Sequence, residues 1–483
     1  MINEEKSKIQ NPKSKIAIIG SGFLGLTLAL RLVESGNQVT VYESAPEIGG
    51  LASAWQIGND IVWDKHYHVT LLSDSLTKKI VEEIGLGDEF EWVETKTGFY
   101  TDGKLVSMSN TLEFLKFPPL DLISKFRLGG TIFYAARVKD WKALEKTSVE
   151  DWLTRLSGKK TFEKMWKPLL KAKLGSAYKE TSAAFIWATI QRMYAARNSG
   201  LKREMFGYVR GGYARVLERF GEYLQAKGVE ICLNSRVEKI EKTENGKWKM
   251  ENVKNLETES VKQFTTTDNS SFSTFHFPFS VDEEFDKVIL TCPSNIAAQI
   301  LPQLTEAEKA KLENIKYQGI VCASVVLKKS LSNFYVTNIT DETPFTGIIE
   351  MTALVDKKEF GGNALVYLPK YVAPDDELFE KTDAEIEEIF LSALEKMYSH
   401  FDRKDVLAFK ISRVRQVFPL PTLNYSENVP NVKTSLENVF IVNSAQITNG
   451  TLNVNETIQL AERFFKDNLA YEIHERHEIK TKH

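Results

Sequence analysis

The feature that most constrains this chain is a strand, a glycine-rich turn, a helix and a second strand within residues 15–42. Residues 15–20 (KIAIIG) are apolar after Lys15, as expected of a parallel strand buried on both faces. Apolar residues then recur at helical spacing as far as Gly36, which ends the helix, and residues 38–42 (QVTVY) form the second strand. This pattern predicts a βαβ unit in a parallel sheet.

The turn after the first strand has the pattern G-x-G-x-x-G, formed by Gly20, Gly22 and Gly25. Gly20 permits the tight turn, Gly22 lets the backbone approach a pyrophosphate, and Gly25 lets helix and strand pack closely. The N-terminus of the helix offers N–H groups and a positive dipole end to phosphates. Glu43 ends the second strand, where a carboxylate accepts hydrogen bonds from ribose hydroxyls and repels a 2′-phosphate. A dinucleotide without that phosphate is therefore expected.

A Gly-Gly pair follows soon after Glu43. Residues 19–50 (IGSGFLGLTLALRLVESGNQVTVYESAPEIGG) resemble the fingerprint of the flavoprotein superfamily of amine oxidases, protoporphyrinogen oxidases and phytoene desaturases. The resemblance implies FAD, with the Gly-Gly turn beside the pyrophosphate and the chain after it along the isoalloxazine. The motif and the resemblance together assign to the cofactor site Gly20, Gly22, Phe23, Leu24, Gly25, Glu43, Ser44, Gly49, Gly50 and Leu51.

Gly211-Gly212, the helix after them and the stop at Gly228 resemble the second FAD-domain block of the superfamily. In that block the backbone of a valine contacts adenine. The resemblance carries this role to Val237.

The last block is less regular. The apolar strand at residues 439–442 (VFIV) and the helix after it resemble the superfamily's final flavin block, but Asn443-Ser444 stand where Gly-Asp is usual. Asn453-Val454 replace the usual Gly-Ala beside the flavin pyrimidine. We expect Asn443, Ser444, Asn453 and Val454 to bind the cofactor through backbone N–H groups and amide or hydroxyl side chains. A capped helix start is the compatible alternative for the residues around Asn453.

The expected fold class is α/β, with a FAD-binding Rossmann-like domain of three layers (ββα) and a discontinuous α+β substrate domain. The predicted segments are 15–72 (FAD-binding, first), 73–205 (substrate domain, mainly helical), 206–300 (FAD-binding, second, with an insertion at about 250–284), 301–410 (substrate domain, sheet part) and 411–470 (FAD-binding, third).

Composition narrows the partners. The chain has 483 residues, which predicts two domains, and 42% of them are hydrophobic and 26% charged. Because the net charge is −3, no nucleic-acid partner is expected. Cys232, Cys292 and Cys322 lie far apart in apolar stretches, which predicts core thiols and no metal site. A polar N-terminus without a long apolar run predicts a cytoplasmic protein. Residues 114–120 (FLKFPPL) leave peripheral membrane contact open, and the oligomeric state is not indicated.

Candidate catalytic groups cluster in Asp64-Lys65-His66-Tyr67-His68, just after the Gly-Gly turn. A neutral His68 or His66 beside the flavin would polarise a carbonyl or relay a proton; the alternative is a hydrogen bond within the turn. By resemblance, Lys370 is a candidate for the lysine that holds a water in amine oxidases, although an exposed lysine fits the same pattern. The aromatic residues of 114–141 and 162–187 form helical core or line an apolar cavity.

The preferred function is a two-electron oxidation or desaturation of a largely apolar small molecule, with hydride passing to flavin N5 and reoxidation by oxygen or a quinone-like acceptor. One rival is a redox-neutral isomerase resembling UDP-galactopyranose mutase, whose nucleotide-binding arginines would correspond to Arg192, Arg197, Arg203 and Arg210. A second rival is a non-catalytic binding protein of the same fold, of the Rab escort or GDP-dissociation-inhibitor type.

Overall fold

The computed structural model describes residues 14–58, 61–197, 205–252 and 283–470. The strands in these ranges are β1 (Lys15–Ile19), β2 (Gln38–Tyr42), β3 (Ala54–Ile57), β4 (Ile61–Asp64), β5 (Thr70–Leu71), β6 (Phe90–Glu94), β7 (Thr97–Thr101), β8 (Lys104–Ser107), β9 (Met205–Val209), β10 (Glu230–Cys232), β11 (Val237–Lys242), β12 (Trp248–Asn252), β13 (Glu284–Phe285), β14 (Lys287–Leu290), β15 (Tyr317–Leu327), β16 (Val336–Ile339), β17 (Gly347–Glu350), β18 (Ala364–Val372), β19 (Val406–Pro419) and β20 (Val439–Ile441).

The helices in the same ranges are α1 (Phe23–Glu34), α2 (Ser75–Glu83), α3 (Thr111–Lys116), α4 (Leu122–Ala135), α5 (Trp141–Glu145), α6 (Val149–Ser157), α7 (Lys159–Thr161), α8 (Lys167–Leu174), α9 (Ala183–Arg197), α10 (Gly212–Ala226), α11 (Ser294–Ile300), α12 (Glu306–Glu313), α13 (Asp383–Met397), α14 (Tyr425–Asn428) and α15 (Val454–Asn468). A π-helical turn, Phe162–Trp166, joins α7 to α8.

A five-stranded parallel sheet, in the order β10-β2-β1-β14-β20, forms the centre of a three-layer unit. On one face Ile16 and Ile18 of β1 share an apolar core with residues of α1, α10 and α15. On the other face Ala17 and Ile19 pack with the antiparallel sheet β11-β12-β13. Because both faces are covered, β1 consists almost entirely of apolar residues. The predicted βαβ unit and the three-layer fold class are confirmed.

A seven-stranded sheet, in the order β19-β15-β18-β17-β16-β7-β8, forms the second architectural unit. All eleven residues of β15 are buried, and they alternate between two cores. Val321 and Ala323 pack towards α13, whereas Ile320 and Cys322 face the core shared with α4, α6, α8 and α9. The latter face of β15 and β18 is called the inner face below.

β19 crosses the boundary that the sequence placed at residues 410/411, since it pairs with β15 from Leu327↔Val406 to Tyr317↔Pro419. It is an edge strand with half-buried and exposed residues along most of its length, so no continuous apolar run marks it in the sequence. Sheet membership therefore continues to Pro419. The predicted insertion at 250–284 lies mostly outside the described residues, and the domain boundaries remain predictions.

Asp102 and Gly103 form the turn of the hairpin between β7 and β8, with both residues at positive φ (49° and 71°), as a type I′ turn requires. Cys232 and Cys322 are buried and Cys292 is half-buried, all with free thiols. In the part of the chain that the structure describes, no helix has the length and apolarity needed to cross a bilayer.

Candidate functional site

The first glycine turn is held by close backbone contacts. Gly20 has φ +108°, a conformation that L side chains rarely adopt. A Cβ on Gly25 would lie 2.0 Å from the carbonyl oxygen of Gly20, so the start of α1 packs directly on the turn. These two glycines are therefore required by the fold itself.

Gly22 has a different environment. It is the N-cap of α1 with φ −65°, and a Cβ there would meet no atom within 4 Å. Gly49 lies beside it, its N–H donating to the carbonyl oxygen of Ser21 at 2.9 Å, and a Cβ on Gly50 would be 3.4 Å from the Cα of Gly22. The two glycine turns thus form an open cradle at the N-terminus of α1. Such a cradle fits a pyrophosphate, because the first-turn N–H groups have no capping side chain.

Glu43 is fixed at the end of β2 by hydrogen bonds. Its Oε2 accepts from the backbone N–H of Ser21 at 2.9 Å and from Ser21 Oγ at 2.8 Å. Its Oε1 accepts from the N–H of Ala45 at 2.9 Å and from Ser44 Oγ at 3.2 Å. An ionised carboxylate has about four acceptor positions, so the ribose contact predicted for Glu43 would share a carboxylate that Ser21 and Ala45 already orient.

The second predicted segment reaches the same edge of the parallel sheet. The N–H of Ser235 donates to the carbonyl oxygen of Glu43 at 2.7 Å, and the N–H of Asn234 donates to that of Ala45 at 3.0 Å. Val237 begins β11 two residues later and is buried. Val237 thus lies two positions after a residue that is hydrogen-bonded to Glu43, and its contact with adenine remains a prediction.

Asn443 has a structural role that the sequence did not indicate. Its Nδ2 donates to the carbonyl oxygen of Cys292 at 2.9 Å, and its Oδ1 accepts from the N–H of Ala445 at 3.0 Å. The side chain is buried and links the ends of β14 and β20. Ser444, at the position of the usual aspartate, is half-buried. Cofactor contacts by these two residues remain predictions.

The start of α15 shows the capped helix that the sequence left as an alternative. Asn453 accepts from the N–H of Glu456 at 3.0 Å and donates to the carbonyl oxygen of Thr451 at 2.6 Å. Asn455 reaches across to α2 and accepts from the N–H of Leu76 at 3.0 Å. The flavin contact predicted for Asn453 and Val454 remains a prediction.

His66 lies against the residue that follows the second glycine turn. Its Nδ1 is 3.2 Å from the carbonyl oxygen of Leu51, and its Nε2 is 3.2 Å from Ser412 Oγ on β19. Burial lowers the pKa of His66 to about 4, so the imidazole is neutral near pH 7. His66 therefore lies against Leu51, which the resemblance assigns to the flavin, and the place of His66 beside the flavin and its chemical role remain predictions.

His68 makes the within-turn bond that was the alternative, with Nδ1 2.9 Å from the carbonyl oxygen of His66. Burial lowers its pKa to about 4. Asp64, 3.8 Å away, accepts from the N–H of Tyr213 at 2.8 Å in the first turn of α10, and burial raises its pKa to about 8. His68 and Asp64 are both mostly neutral near pH 7, so they do not form an ion pair.

Lys370 lies on the face of β18 opposite to the inner face. It pairs in register with Val321, which packs towards α13, and its Nζ donates to the carbonyl oxygen of Thr343 at 3.3 Å. The structure therefore does not bring Lys370 together with His66, and the amine-oxidase-like role expected for it is not supported.

A different lysine occupies the inner face, and the sequence did not single it out. Lys173 of α8 donates to the hydroxyl of Tyr371 at 2.6 Å, and Tyr371 is 2.9 Å from the hydroxyl of Tyr67. The only sequence signal is a lysine three residues after Leu170 and next to Leu174, both of which are buried. Its partner Tyr371 is 198 residues away in sequence, which no local pattern reveals.

The arginines considered for a nucleotide sugar engage carboxylates. Arg192 pairs with Asp74 at 2.9 Å, and Arg210 pairs with Glu91 at 3.0 Å near the surface. The side chain of Arg197 and all of Arg203 lie outside the described residues.

The apolar stretch predicted at residues 114–120 is only partly exposed. Phe117 and Leu120 are buried in the core, and the exposed apolar side chains lie around them on two helices. We call the following set the α3–α4 apolar surface: Leu112, Leu115, Leu122, Ile123, Phe126, Phe133 and Tyr134.

The sequence model of the flavin containing amine oxidoreductases matches residues 25–452. The chain belongs to this family. FAD is accordingly its cofactor, and the glycine cradle and Glu43 provide residues that fit it.

Curated relatives carry carotenoid-related names. A probable zeta-carotene desaturase of Synechococcus elongatus is 26% identical over 258 residues, which are 48% of this chain and 52% of that protein. A 15-cis-phytoene desaturase of Solanum lycopersicum is 21% identical over 415 residues, which are 80% of this chain and 64% of that protein. The chain thus spans less than two thirds of the length of these relatives.

Solved structures extend the likeness to nearly the whole fold. A putrescine oxidase variant superposes with a TM-score of 0.70 at 15% identity, covering 95% of this chain and 99% of that one. A reduced UDP-galactopyranose mutase gives 0.67 at 14% identity, covering 96% and 95%. At such identities the likeness establishes the fold and leaves the reaction open.

Proposed function

We propose that the chain catalyses a FAD-dependent two-electron oxidation, in the form of a desaturation, of a largely apolar small molecule. When bound, FAD supplies a hydride acceptor at N5. The family and the desaturase relatives support the reaction class. The residues of this chain would hold the cofactor at the glycine cradle, keep water out and orient the substrate against the inner face.

The observation that carries this proposal is that the His66 imidazole and the Asp64 carboxyl group, near Leu51 and the inner face, are mostly uncharged near pH 7. His66 is neutral because burial lowers its pKa, and Tyr67, Tyr371 and Cys322 lie in an apolar core. Asp64, the carboxyl group of this segment, is mostly protonated near pH 7 and bonded to α10. A cationic amine would find no ionised partner in this set, whereas an apolar substrate avoids the cost of desolvating a charge.

Anaerobic reduction of the purified holoprotein tests the proposal. Isoprenoid polyenes, porphyrinogens, diamines and UDP-sugars are added separately, and the visible flavin band is followed. Bleaching by an isoprenoid and not by a diamine is the expected result. Bleaching by diamines alone contradicts the apolar assignment, and a spectral change of reduced enzyme with UDP-sugar alone would support the isomerase instead.

We also propose that the α3–α4 apolar surface contacts an anionic membrane, from which such a substrate would be taken. Leu112, Ile123 and Phe126 are 71%, 74% and 71% exposed. Residues 111–146 contain seven basic and four acidic side chains, in contrast to the net charge of −3 of the whole chain. Apolar side chains flanked by cations are typical of helices that bind in a lipid interface.

Sedimentation with vesicles of anionic and of neutral lipid tests this contact. Ile123→Glu with Phe126→Glu is expected to abolish sedimentation with anionic vesicles. Leu407→Glu is the matched control, since Leu407 is an exposed apolar residue (48%) on β19. Equal binding by the double variant and the control would refute the proposed surface, and self-association lost in the double variant would point to a second copy as its partner.

A further inference from the structure

Three hydroxyl and amine groups from distant segments form one hydrogen-bonded chain on the inner face. Lys173 Nζ lies 2.6 Å from the hydroxyl of Tyr371, which lies 2.9 Å from the hydroxyl of Tyr67. The groups come from α8, from β18 and from the segment after β4. The proposed function gives none of these residues a role.

The Lys173 amine lies close to two aromatic rings, whose faces favour the ammonium, whereas burial disfavours it. Its Nζ lies 3.8 Å from the ring centroid of Tyr371 and 5.1 Å from that of Phe418. Within the described ranges, the ion pairs do not include Lys173. Burial alone lowers the pKa of Lys173 to about 7, so neutral amine and ammonium coexist near pH 7. A lysine held in this way has the properties of a general base.

The hydrogen-bond chain works in both directions. An ammonium at Lys173 donates to Tyr371, whereas a neutral amine accepts a proton from it. Either hydroxyl of the Tyr67–Tyr371 bond can be the donor. Burial raises the pKa of Tyr67 to about 12 and that of Tyr371 further, so both phenols stay protonated and pass a proton by exchanging donor and acceptor roles.

The remaining titratable groups around this chain are uncharged or mostly so near pH 7. Burial raises the pKa of the Cys322 thiol and of the Tyr335 and Tyr367 phenols above their usual range. His66, next to Tyr67, is neutral, and Asp64 titrates at about 8. Lys173 is thus the basic group of this cluster whose protonation changes near neutral pH.

The position of Tyr67 connects this chain to the cofactor segment, because it follows His66, whose ring contacts the carbonyl oxygen of Leu51. We propose that Tyr67, Tyr371 and Lys173 form a proton relay that removes the proton released by the substrate during desaturation. This inference rests on the proposed function. Tyr67 is the member that meets the substrate, and Lys173 is the final acceptor.

When bound, FAD would supply the two-electron oxidant, so that one substrate C–H bond could break with both of its electrons leaving as hydride. The neighbouring C–H bond breaks with its electron pair left behind to form the C=C bond, and its proton passes to the Tyr67 oxygen. Tyr67 releases its own proton to Tyr371, and Tyr371 releases one to the Lys173 amine. The resulting ammonium later loses the proton to solvent.

The first test uses apoprotein and needs no substrate. Unfolded lysine titrates near 10.5 and folded Lys173 near 7, so unfolding takes up a proton between these values. As the pH rises through this window, the equilibrium constant of unfolding should fall by up to tenfold per pH unit because of Lys173. Lys173→Met should lose this contribution, whereas Lys171→Met, an exposed lysine of the same helix, should retain it. Parallel pH profiles for wild type and Lys173→Met overturn the inference.

The second test measures flavin bleaching against pH with the substrate class found above. The bleaching rate of the wild type should rise with pH to a plateau above about pH 7. The rate of Lys173→Met should not show this rise and should be lower by about 10²–10⁴-fold, the usual contribution of general base catalysis. Tyr371→Phe should lower the plateau while leaving FAD content and the apoprotein titration of Lys173 in place. Bleaching at the wild-type rate by Tyr371→Phe contradicts the relay.

The two proposals fail in different ways. If the apoprotein shows the expected titration of Lys173 but no isoprenoid bleaches the flavin, the proposed desaturation is wrong, and so is the relay that depends on it. If an isoprenoid bleaches the flavin and Lys173→Met keeps the wild-type rate and pH profile, the relay is wrong and the proposed desaturation stands.

Discussion

Gly22 and Gly25 lie three residues apart, and the structure assigns opposite consequences to their substitution by alanine. A Cβ at Gly22 meets no atom within 4 Å, at a φ of −65° that alanine adopts without strain. A Cβ at Gly25 lies 2.0 Å from the carbonyl oxygen of Gly20. We predict that Gly22→Ala keeps the apoprotein stable and loses FAD, whereas Gly25→Ala destabilises the apoprotein itself.

The magnitudes follow from the two environments. At the N-cap, replacing Gly22 by alanine costs at most about 1 kcal/mol of folding free energy, offset by roughly 0.4–1 kcal/mol from a less flexible unfolded chain. Overpacking at Gly25 costs about 1–3 kcal/mol or more. One lost hydrogen bond from a backbone N–H to a phosphate is worth about 1.5–3 kcal/mol, which weakens FAD binding by about 10- to 150-fold.

Two measurements separate these effects. Urea unfolding of apoprotein, followed by circular dichroism, gives the folding free energy, and titration of apoprotein with FAD gives the dissociation constant. Wild-type FAD affinity in Gly22→Ala would show that the pyrophosphate does not pass this glycine. Wild-type apoprotein stability in Gly25→Ala would show that the contact with Gly20 is not tight.

Three further substitutions probe the same region. Glu43→Gln should raise the FAD dissociation constant about tenfold in equilibrium dialysis, since a hydrogen bond to a charged group is lost; an unchanged constant contradicts the ribose contact. Burial raises the pKa of Asp64 from 3.8 to about 8. Apoprotein stability should therefore fall as the pH rises from about 4 to about 8, because in this range the Asp64 carboxyl ionises only in the unfolded chain. Asp64→Asn should remove that slope in melts against pH. Asn443→Ala should cost about 2–3 kcal/mol in urea unfolding, because a partly buried carbonyl and a buried N–H lose partners; a smaller loss would mean that water replaces the amide.

The βαβ unit could be predicted closely because its determinants are local. The helix predicted between the glycine-rich turn and Gly36 is Phe23–Glu34, and the strand predicted at 38–42 is Gln38–Tyr42. Continuous apolar runs, helical spacing and glycine stops all lie within thirty residues. Each local preference agrees with the final fold, which is the condition under which sequence patterns are reliable.

The inner face could not be predicted in this way. Along β18 a shift of one residue moves a side chain to the other face, so a general likeness to amine oxidases did not distinguish Lys370 from its neighbour Tyr371. The partner of Tyr371, Lys173, comes from a helix in another part of the chain. Pairings across 198 residues depend on how sheet and helices pack, and single-sequence patterns carry little information on that packing.

The altered last block acquires a physical explanation from Asn443. Asn443 stands where glycine is usual, and its amide donates to the Cys292 carbonyl and accepts from the Ala445 N–H, two bonds that glycine, without a side chain, cannot make. The Asn443 side chain thereby links the ends of β14 and β20. Because serine at position 444 carries no charge where an aspartate is usual, we expect more of the FAD affinity to come from the contacts predicted for Gly22 and Glu43. The loss of FAD in Gly22→Ala should therefore lie towards the upper end of the range given above.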